Sequence, residues 1–466
     1  MDEKKQDEKA KTAAVSRQTR ACAEQTAADA PSAFPDEPID SLIDPLIRFL
    51  HIESAAGIVL LVAATAALVL ANSRFADPFL SIWQIRAGVS IGNFSLDLSL
   101  QHWVNDGLMT VFFFVVGLEV KRELVVGELR DIRNAALPVA AALGGMVVPA
   151  AFYLFLQSEM PAASGWGIPM ATDIAFVVGV LALLKDRIPN GLRILLLSLA
   201  IADDIGAILV IAVGYTQNIH GVPLLLALGG FGAVVALFRL GIRNMAVYAF
   251  FMLFVWLALH ESGIHATLAG VVFGLLTPTR SWVGEGRLGA TARRTLCFLK
   301  GGGWPHLQDR YDTLREMELT VRKSIPPQQR FENQLHPWSG FVIMPLFALA
   351  NAGVAVSPEM LSHPVAAAVV CGLFLGKPVG IAMASWLAVK SGVARLPAGV
   401  GWGPIVGAGF LAGIGFTMAL FISGLALAGP LLDAAKIGIL VASVLSAVAG
   451  TALLIWFLPG SGKKKT

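Results

Sequence analysis

The 466-residue chain is 56% hydrophobic and only 14% charged, with a formal net charge of +3. Soluble domains carry roughly 25% charged residues, so these charges cannot cover a soluble surface of this size. Recurrent apolar stretches of about 18 residues or more mark a polytopic helical membrane protein in a lipid bilayer. No nucleic-acid partner is expected, and the scattered Cys22, Cys297 and Cys371 suggest neither a disulfide framework nor a zinc site.

Residues 1 to 38 are polar, lack the apolar core of a signal peptide and bury too little to order themselves, which predicts a disordered tail. Ile39 to Phe49 mixes apolar and charged positions and suits either a short amphipathic surface helix or the start of the first span. Residues 1–50 are thus set apart as a cytoplasmic tail, 51–458 as the transmembrane domain and 459–466 as a basic tail. Twelve spans are predicted, at about 52–71, 101–120, 136–156, 164–184, 191–215, 223–240, 245–260, 264–277, 336–356, 364–389, 403–427 and 435–457. After the first span, Val89 to Leu98 alternates about Gly92-Asn93, the pattern of a β-hairpin.

The charge of the connections supports this count. The even-numbered ones are basic: Lys121, Arg122, Arg130 and Arg133; Lys185, Arg187 and Arg193; Arg239 and Arg243; the 278–333 segment; and Lys390 with Arg395. The chain ends in Lys463, Lys464 and Lys465, while the odd connections carry almost no Lys or Arg apart from Arg74 and Arg86. The alternation places both termini in the cytoplasm. The 278–333 insert also holds Glu285, Asp309, Asp312, Glu316 and Glu318; Asp309 to Lys323 suits a helix, and no catalytic motif appears in it.

Few charges fall within spans, and an ionisable group at membrane depth is by default a functional one. Asp203 and Asp204 are adjacent in the apolar run Leu195 to Val213. Asp173 follows Gly165, Gly167 and Pro169, which break the fourth span; irregular backbone at that depth is tolerated where it lines a cavity. Thr172 and Asp173 suit the cap of the restarted helix. Gly407 to Thr417 is a second weak point, in the eleventh span, although glycines also serve close helix packing. Each break lies in the middle of a three-helix unit, spans three to five and ten to twelve, and the units start on opposite sides. That is the inverted-repeat arrangement of transporters. Lys377 lies inside the tenth span, while Asp106 and Glu119 bracket the second.

Carboxylates beside hydroxyl and backbone oxygens suit a hard cation, and the acids are too few for a calcium cage, which favours a partly dehydrated monovalent ion. Protons compete for the same oxygens. A site held alternately by cation or protons, and open to one side at a time, is an exchanger. Adjacent helical residues point about 100° apart, so one of Asp203 and Asp204 can face the ion while the other pairs with Lys377, unless that lysine snorkels to the interface. His102 with Trp103, the His260, Glu261 and His265 group, and His336 near Trp338 fit interfacial positions.

Seven stretches together resemble the NhaA-type sodium/proton antiporters: Phe112 to Leu124, Ala171 to Phe176, Asp203 to Ala207, His265 to Gly270, Pro345 to Gly353, Gly376 to Pro378 and Gly413 to Met418. The resemblance runs from about residue 50 to 457. It implies an all-α fold of twelve helices with broken, crossed fourth and eleventh helices, and electrogenic exchange of Na+ or Li+ for H+ across the bacterial inner membrane without a cofactor. It implies that Asp204 is the main cation ligand, with Asp203, Asp173 and Thr172 also at the Na+ site, Asp203 as the partner of Lys377, Asp173 and Thr172 at the helix crossing, and Asp106 along the pathway. Glu119, Arg122, Glu123 and Glu332 match positions linked to alkaline activation, and the 84–98 segment matches an outer hairpin through which the family dimerises. The longer N-terminal tail and the 278–333 insert depart from that pattern. Asp203, Asp204 and Lys377 argue against a non-transporting sensor, and two further rivals stand beside this reading. One is an exchanger of another monovalent cation such as K+. The other is an intramembrane aspartyl protease, which also needs two membrane carboxylates, but here Thr172 precedes Asp173 and Ala202 precedes Asp203, unlike the motifs of those enzymes.

Overall fold

A computed structural model of the protein describes residues 53–91, 94–184, 187–216, 219–242, 245–300 and 307–458. The expectations for the 1–50 tail, the Ile39 to Phe49 helix, the Gly92-Asn93 turn and the 459–466 tail lie outside these residues.

Helix α1 (Glu53–Ala71) is apolar on every side and exposes Ile58, Leu61, Val62 and Val69, as a lipid-facing helix does. The chain then turns by 114° into α2 (Ala76–Gln84), a short helix that the span pattern did not anticipate. Strands β1 (Arg86–Ile91) and β2 (Phe94–Ser99) pair antiparallel from Arg86↔Ser99 to Ile91↔Phe94, the pairing expected of the hairpin. A π-turn at Trp103–Leu108 leads into α3 (Met109–Val125). Next come α4 (Ile132–Leu156), which contains Pro138 and Pro149, and a 3-10 stretch at Ala162–Met170 that precedes α5 (Ile174–Leu183). They are followed by α6 (Asn190–Gly214), α7 (Gly221–Arg239), α8 (Met245–Ser262) and α9 (Leu268–Leu276).

The insert forms two helices, α10 (Glu285–Lys300) and α11 (Leu307–Ser324), where one was expected. Then α12 (Pro327–Trp338) runs through a π-turn at Ser339–Ile343 into α13 (Met344–Asn351). A π-turn at Cys371–Gly376 likewise joins α14 (Pro364–Val370) to α15 (Lys377–Lys390). Helices α16 (Trp402–Ala412) and α17 (Phe416–Ala426) meet at a 48° bend, and α18 (Gly429–Phe457) ends the described chain.

Among the described residues six helices are long and apolar enough to cross a membrane, or eight if each bent pair is one span. The sequence pattern counts twelve because it also admits interrupted or short apolar helices. Span two is split by its π-turn, α9 has nine residues, and α12–α13 begins polar.

The buried apolar residues fall into two clusters. The larger joins α1, α4, α5, α6 and α14 to α18; the smaller gathers Leu96 of the hairpin with Ala227, Trp256, Phe273 and Phe331. Helix α3 serves both, with Phe113, Val116 and Val120 on one side and Phe114 and Leu118 on the other. Glycines allow the closest approaches. A Cβ at Gly117 would meet the Val271 carbonyl at 2.6 Å, and one at Gly144 would strike the Gly380 carbonyl where α4 packs on α15.

The α4–α15 contact makes Gly144→Val destabilising by about 1–3 kcal/mol, the usual cost of overpacking. Gly232→Ala, where nothing lies within 4 Å, is expected to be neutral or slightly stabilising. Thermal unfolding of the two purified variants checks this, and equal melting temperatures would reject the close contact.

Candidate functional site

The site forms where two interrupted helices meet. Pro169 lies in the 3-10 stretch, so regular α-helical pairing stops before Asp173 and resumes at Ile174. The chain from Gly413 to Gly415 likewise separates α16 from α17. The breaks lie against each other: the Asp173 N–H donates to the Ile414 carbonyl at 2.7 Å. Asp173 Oδ2 accepts the Thr417 N–H at 2.9 Å and the Thr417 hydroxyl at 2.5 Å, while Oδ1 accepts the Phe176 N–H at 3.3 Å. One carboxylate therefore caps the N-termini of both α5 and α17, where a negative charge opposes the positive dipole ends.

The carbonyl ends of the preceding segments meet the opposite kind of group. Lys377 Nζ donates to the Met170 carbonyl and lies 2.8 Å from Asp203 Oδ2, with both side chains fully buried. Thr172 Oγ1 is 2.6 Å from the same Asp203 oxygen and 3.0 Å from the Ala412 carbonyl, and its single proton serves one of them at a time. The other Asp203 oxygen, Oδ1, is buried and has no hydrogen-bond partner among the described residues.

Asp204 differs from both. It is 3% exposed, and among the described residues no hydrogen bond to its side chain is found. Among the described residues the charged groups that act on it are Glu119, Asp203 and Asp173, with Lys377 as the one opposite charge. Three carboxylates around one buried carboxylate, with a single lysine, make a place where a cation or a proton relieves repulsion. Among the described residues no three His, Cys, Asp or Glu side chains converge as a closed metal cage. An oxygen set built from carboxylate, hydroxyl and carbonyl groups suits an alkali ion in transit rather than a resident metal.

The other expected residues fall into two places. Asp106 sits in the π-turn, where its carbonyl accepts Trp256 Nε1 at 3.1 Å, and the charges acting on it come from His265, His102 and His260 rather than from the Asp203–Asp204 pair. Glu119 lies 4.0 Å from His336 and also acts on Asp204. Arg122 forms an ion pair with Glu332, and Glu123 Oε1 accepts the Glu128 N–H at 3.0 Å and the Ser198 hydroxyl at 3.4 Å. Burial pushes the Glu332 carboxyl, which precedes the ninth expected span, above its ordinary range, and the Arg122 guanidinium pulls it back. A cavity of about 700 Å³ opens among Glu128, Arg133, Arg395 and Leu195 and reaches Ser198, five residues before Asp203.

Two participants were not singled out by the sequence reading. Gln328 donates to Glu332 Oε2 at 2.6 Å and to the Leu118 carbonyl at 3.3 Å; its i, i+4 spacing to Glu332 was the available signal. Ser198 carried none beyond its place on the helix of the paired aspartates.

The chain matches the family described as Na+/H+ antiporter 1 over residues 47–454. It is 52% identical over 426 residues to the Na(+)/H(+) antiporter NhaA of Rhodopirellula baltica, covering 91% of this chain and 97% of that protein. It is 50% identical to the Na(+)/H(+) antiporter NhaA 1 of Acidiphilium cryptum, over 91% and 94% of the two chains. To the Na(+)/H(+) antiporter NhaA 2 of Vibrio vulnificus it is 46% identical, over 93% and 97%.

Removing Lys377 leaves the buried Asp203 carboxylate without its cation, a change that costs about 3–5 kcal/mol in buried pairs. Lys377→Ala is therefore expected to lower the melting temperature sharply, and Lys377→Ala combined with Asp203→Asn to recover part of the loss. Additive destabilisation in that double-mutant cycle would show that the pair is not coupled.

Proposed function

Since the chain belongs to the Na+/H+ antiporter 1 family, it is a secondary transporter rather than an enzyme, and we propose that it exchanges Na+ or Li+ for H+ with Asp204 as the group for which cation and protons compete. The observation that carries this reading is the division of labour among the three buried aspartates. Asp173 has both oxygens engaged in capping two helices, and Asp203 is held by Lys377 and Thr172. Of the three, Asp204 is buried without such commitments among the described residues.

A Na+ ion entering along the cavity that ends at Ser198 sheds water and gains the Asp204 carboxylate. The free Asp203 Oδ1 and nearby backbone oxygens complete its shell. Protonation of Asp204 from the other side removes the charge that holds the ion, so each ligand displaces the other. The Asp203–Lys377 pair provides a second place for a proton. Two proton-carrying groups for one cation make the exchange electrogenic, with proton carriage belonging to the coupled cluster rather than to one residue. Alternating access follows from relative movement of the two three-helix units about the paired breaks.

The finer architecture belongs to the same reading. Twelve spans with inverted repeats in spans three to five and ten to twelve bring the broken fourth and eleventh helices across each other. Asp173 and Thr172 shape the crossing and Asp106 lines the pathway from the outer side. The alternating loop charges favour cytoplasmic termini in the bacterial inner membrane. The β1–β2 hairpin is a surface through which a homodimer would form, and the exchange supports pH and sodium homeostasis.

Alkaline activation is assigned to Glu119, Arg122, Glu123 and Glu332. As pH rises through the upward-shifted Glu332 value, this carboxyl ionises and its attraction to Arg122 reaches full strength.

Proton flux in everted vesicles or proteoliposomes, with Na+, Li+ and K+ tested separately across pH, tests the function. Asp204→Asn is expected to abolish Na+- and Li+-dependent flux while the protein remains folded, and retained exchange would remove the site assignment. Flux with K+ alone would favour the other-cation reading. Glu332→Gln is expected to shift the pH profile while exchange at the optimum persists; an unchanged profile would remove Glu332 from pH control.

A further inference from the structure

The insert between α9 and α12 takes no part in the buried site, yet it is built with two distinct faces. Helices α10 and α11 pack on each other. On α11 the positions Thr313, Met317, Thr320 and Ser324 are buried or half-buried at helical spacing, and on α10 Thr291 and Thr295 are buried. A hairpin of this kind would normally present only polar residues on its remaining surface.

Instead, α11 carries a second apolar stripe. Tyr311, Leu314 and Val321, continued by Ile325, are 60%, 44%, 42% and 43% exposed and fall at i, i+3, i+10 and i+14 on one side of the helix. Arg315 and Arg322, seven residues apart, flank the stripe, and the Arg315 guanidinium lies 5.9 Å from the centroid of the Tyr311 ring. By the same spacing Asp312 and Glu316 fall on the far side, where Glu316 lies 3.6 Å from Arg294 of α10. Glu318 is the one acid within the stripe. An apolar band edged by arginines, with Asp312 and Glu316 turned away, is the pattern of a helix that lies in a membrane interface.

The base of the hairpin is held at the end of the short apolar helix α9. The Val283 N–H donates to the Lys323 carbonyl, and the Gln328 N–H to the Pro278 carbonyl, each at 3.3 Å. The C-terminal end of α11 is thereby tied beside Pro278, two residues after α9 ends. Residues 278–333 hold ten Lys or Arg against six Asp or Glu.

We propose that the α11 face formed by Tyr311, Leu314, Val321 and Ile325 seats on the anionic bilayer surface from which α9 emerges, with Arg315 and Arg322 meeting lipid phosphates. The charge pattern favours lipid over a second copy of the chain: a two-fold contact through this face would bring the same arginines toward each other. The proposal rests on the sidedness assigned above, which puts this basic connection in the cytoplasm.

The test uses the full-length protein with Cys22, Cys297 and Cys371 replaced by serine and Val321→Cys carrying an environment-sensitive fluorophore. Lipid nanodiscs of phosphatidylcholine alone are compared with discs containing phosphatidylglycerol. In the anionic discs the label is expected to shift to the blue and to be quenched by lipid-borne nitroxide. Arg315→Gln with Arg322→Gln is expected to reduce the docked-to-free ratio by roughly 25-fold, from the usual strength of two charges at an anionic surface. Raising the salt to about 1 M should weaken docking as well. A label that stays water-accessible in anionic discs, or docks equally in neutral ones, overturns the proposal. A blue shift that grows with protein concentration in detergent without lipid assigns the face to a second copy and also overturns it. Na+-driven proton flux is measured separately on the same preparations. Lost flux with docking retained counts against the exchange reading alone, and lost docking with flux retained counts against this inference alone.

Discussion

Backbone groups freed by a broken helix at membrane depth have no water to turn to, and meeting their demand organises the centre of this protein. Each break frees carbonyls on one side and N–H groups on the other. The freed N–H groups of Phe176 and Thr417 converge on one anion, Asp173. The carbonyls of Met170 and Ile414 are met by Lys377 and the Asp173 N–H, and the Ala412 carbonyl shares the Thr172 hydroxyl with Asp203. Negative charge faces the positive helix ends, and positive charge faces a negative one, which is the favourable pairing for helix dipoles. The two interruptions thus satisfy each other, and neither segment can be understood alone.

The aspartates acquire different properties from this arrangement. The Asp173 carboxyl is held by its bonds to two helices, and Asp203 by Lys377 and Thr172. Asp204 is adjacent to Asp203 on the same helix, but the helical turn carries its carboxylate away from both anchors. It keeps the repulsion of its neighbours without their hydrogen bonds. A buried ion pair such as Asp203–Lys377 is weak support for stability in itself, because apolar replacements of similar volume are often as stable.

Close helix approach makes these short contacts possible. Lys377 begins α15 immediately after a π-turn, and α15 lies against α4 with the Gly144 and Gly380 backbones in contact. A Cβ at Gly145 would sit 3.6 Å from the Lys377 Cε atom. Without a hydrophobic driving force between helices in lipid, small residues let van der Waals contact and hydrogen bonds do the packing. Helix α3 extends the arrangement outward: it joins the two apolar clusters and carries Glu119 toward Asp204 and Arg122 toward Glu332.

Much of this was legible without coordinates. Apolar run length marked membrane helices because lipid demands continuous apolar surface, and Gly92-Asn93 with its alternating flanks marked the hairpin because strand side chains repeat every two residues. Pro169, Gly413 and Gly415 marked the interruptions, since proline removes a donor and glycine weakens a helix whatever surrounds it. The charged residues inside spans stood out because such burial is costly everywhere. These are local or one-dimensional properties, and the chain alone determines them. The α2 turn, the π-turns before Met109 and Lys377 and the second helix of the insert were not legible, because packing against neighbours selects them over equally good local alternatives. Nor could spacing decide that Asp203 rather than Asp204 meets Lys377, or that Asp173 caps a helix more than two hundred residues away. Those outcomes depend on which surfaces of distant helices come together, and only the tertiary structure brings the opposing charges and freed backbone groups within bonding distance.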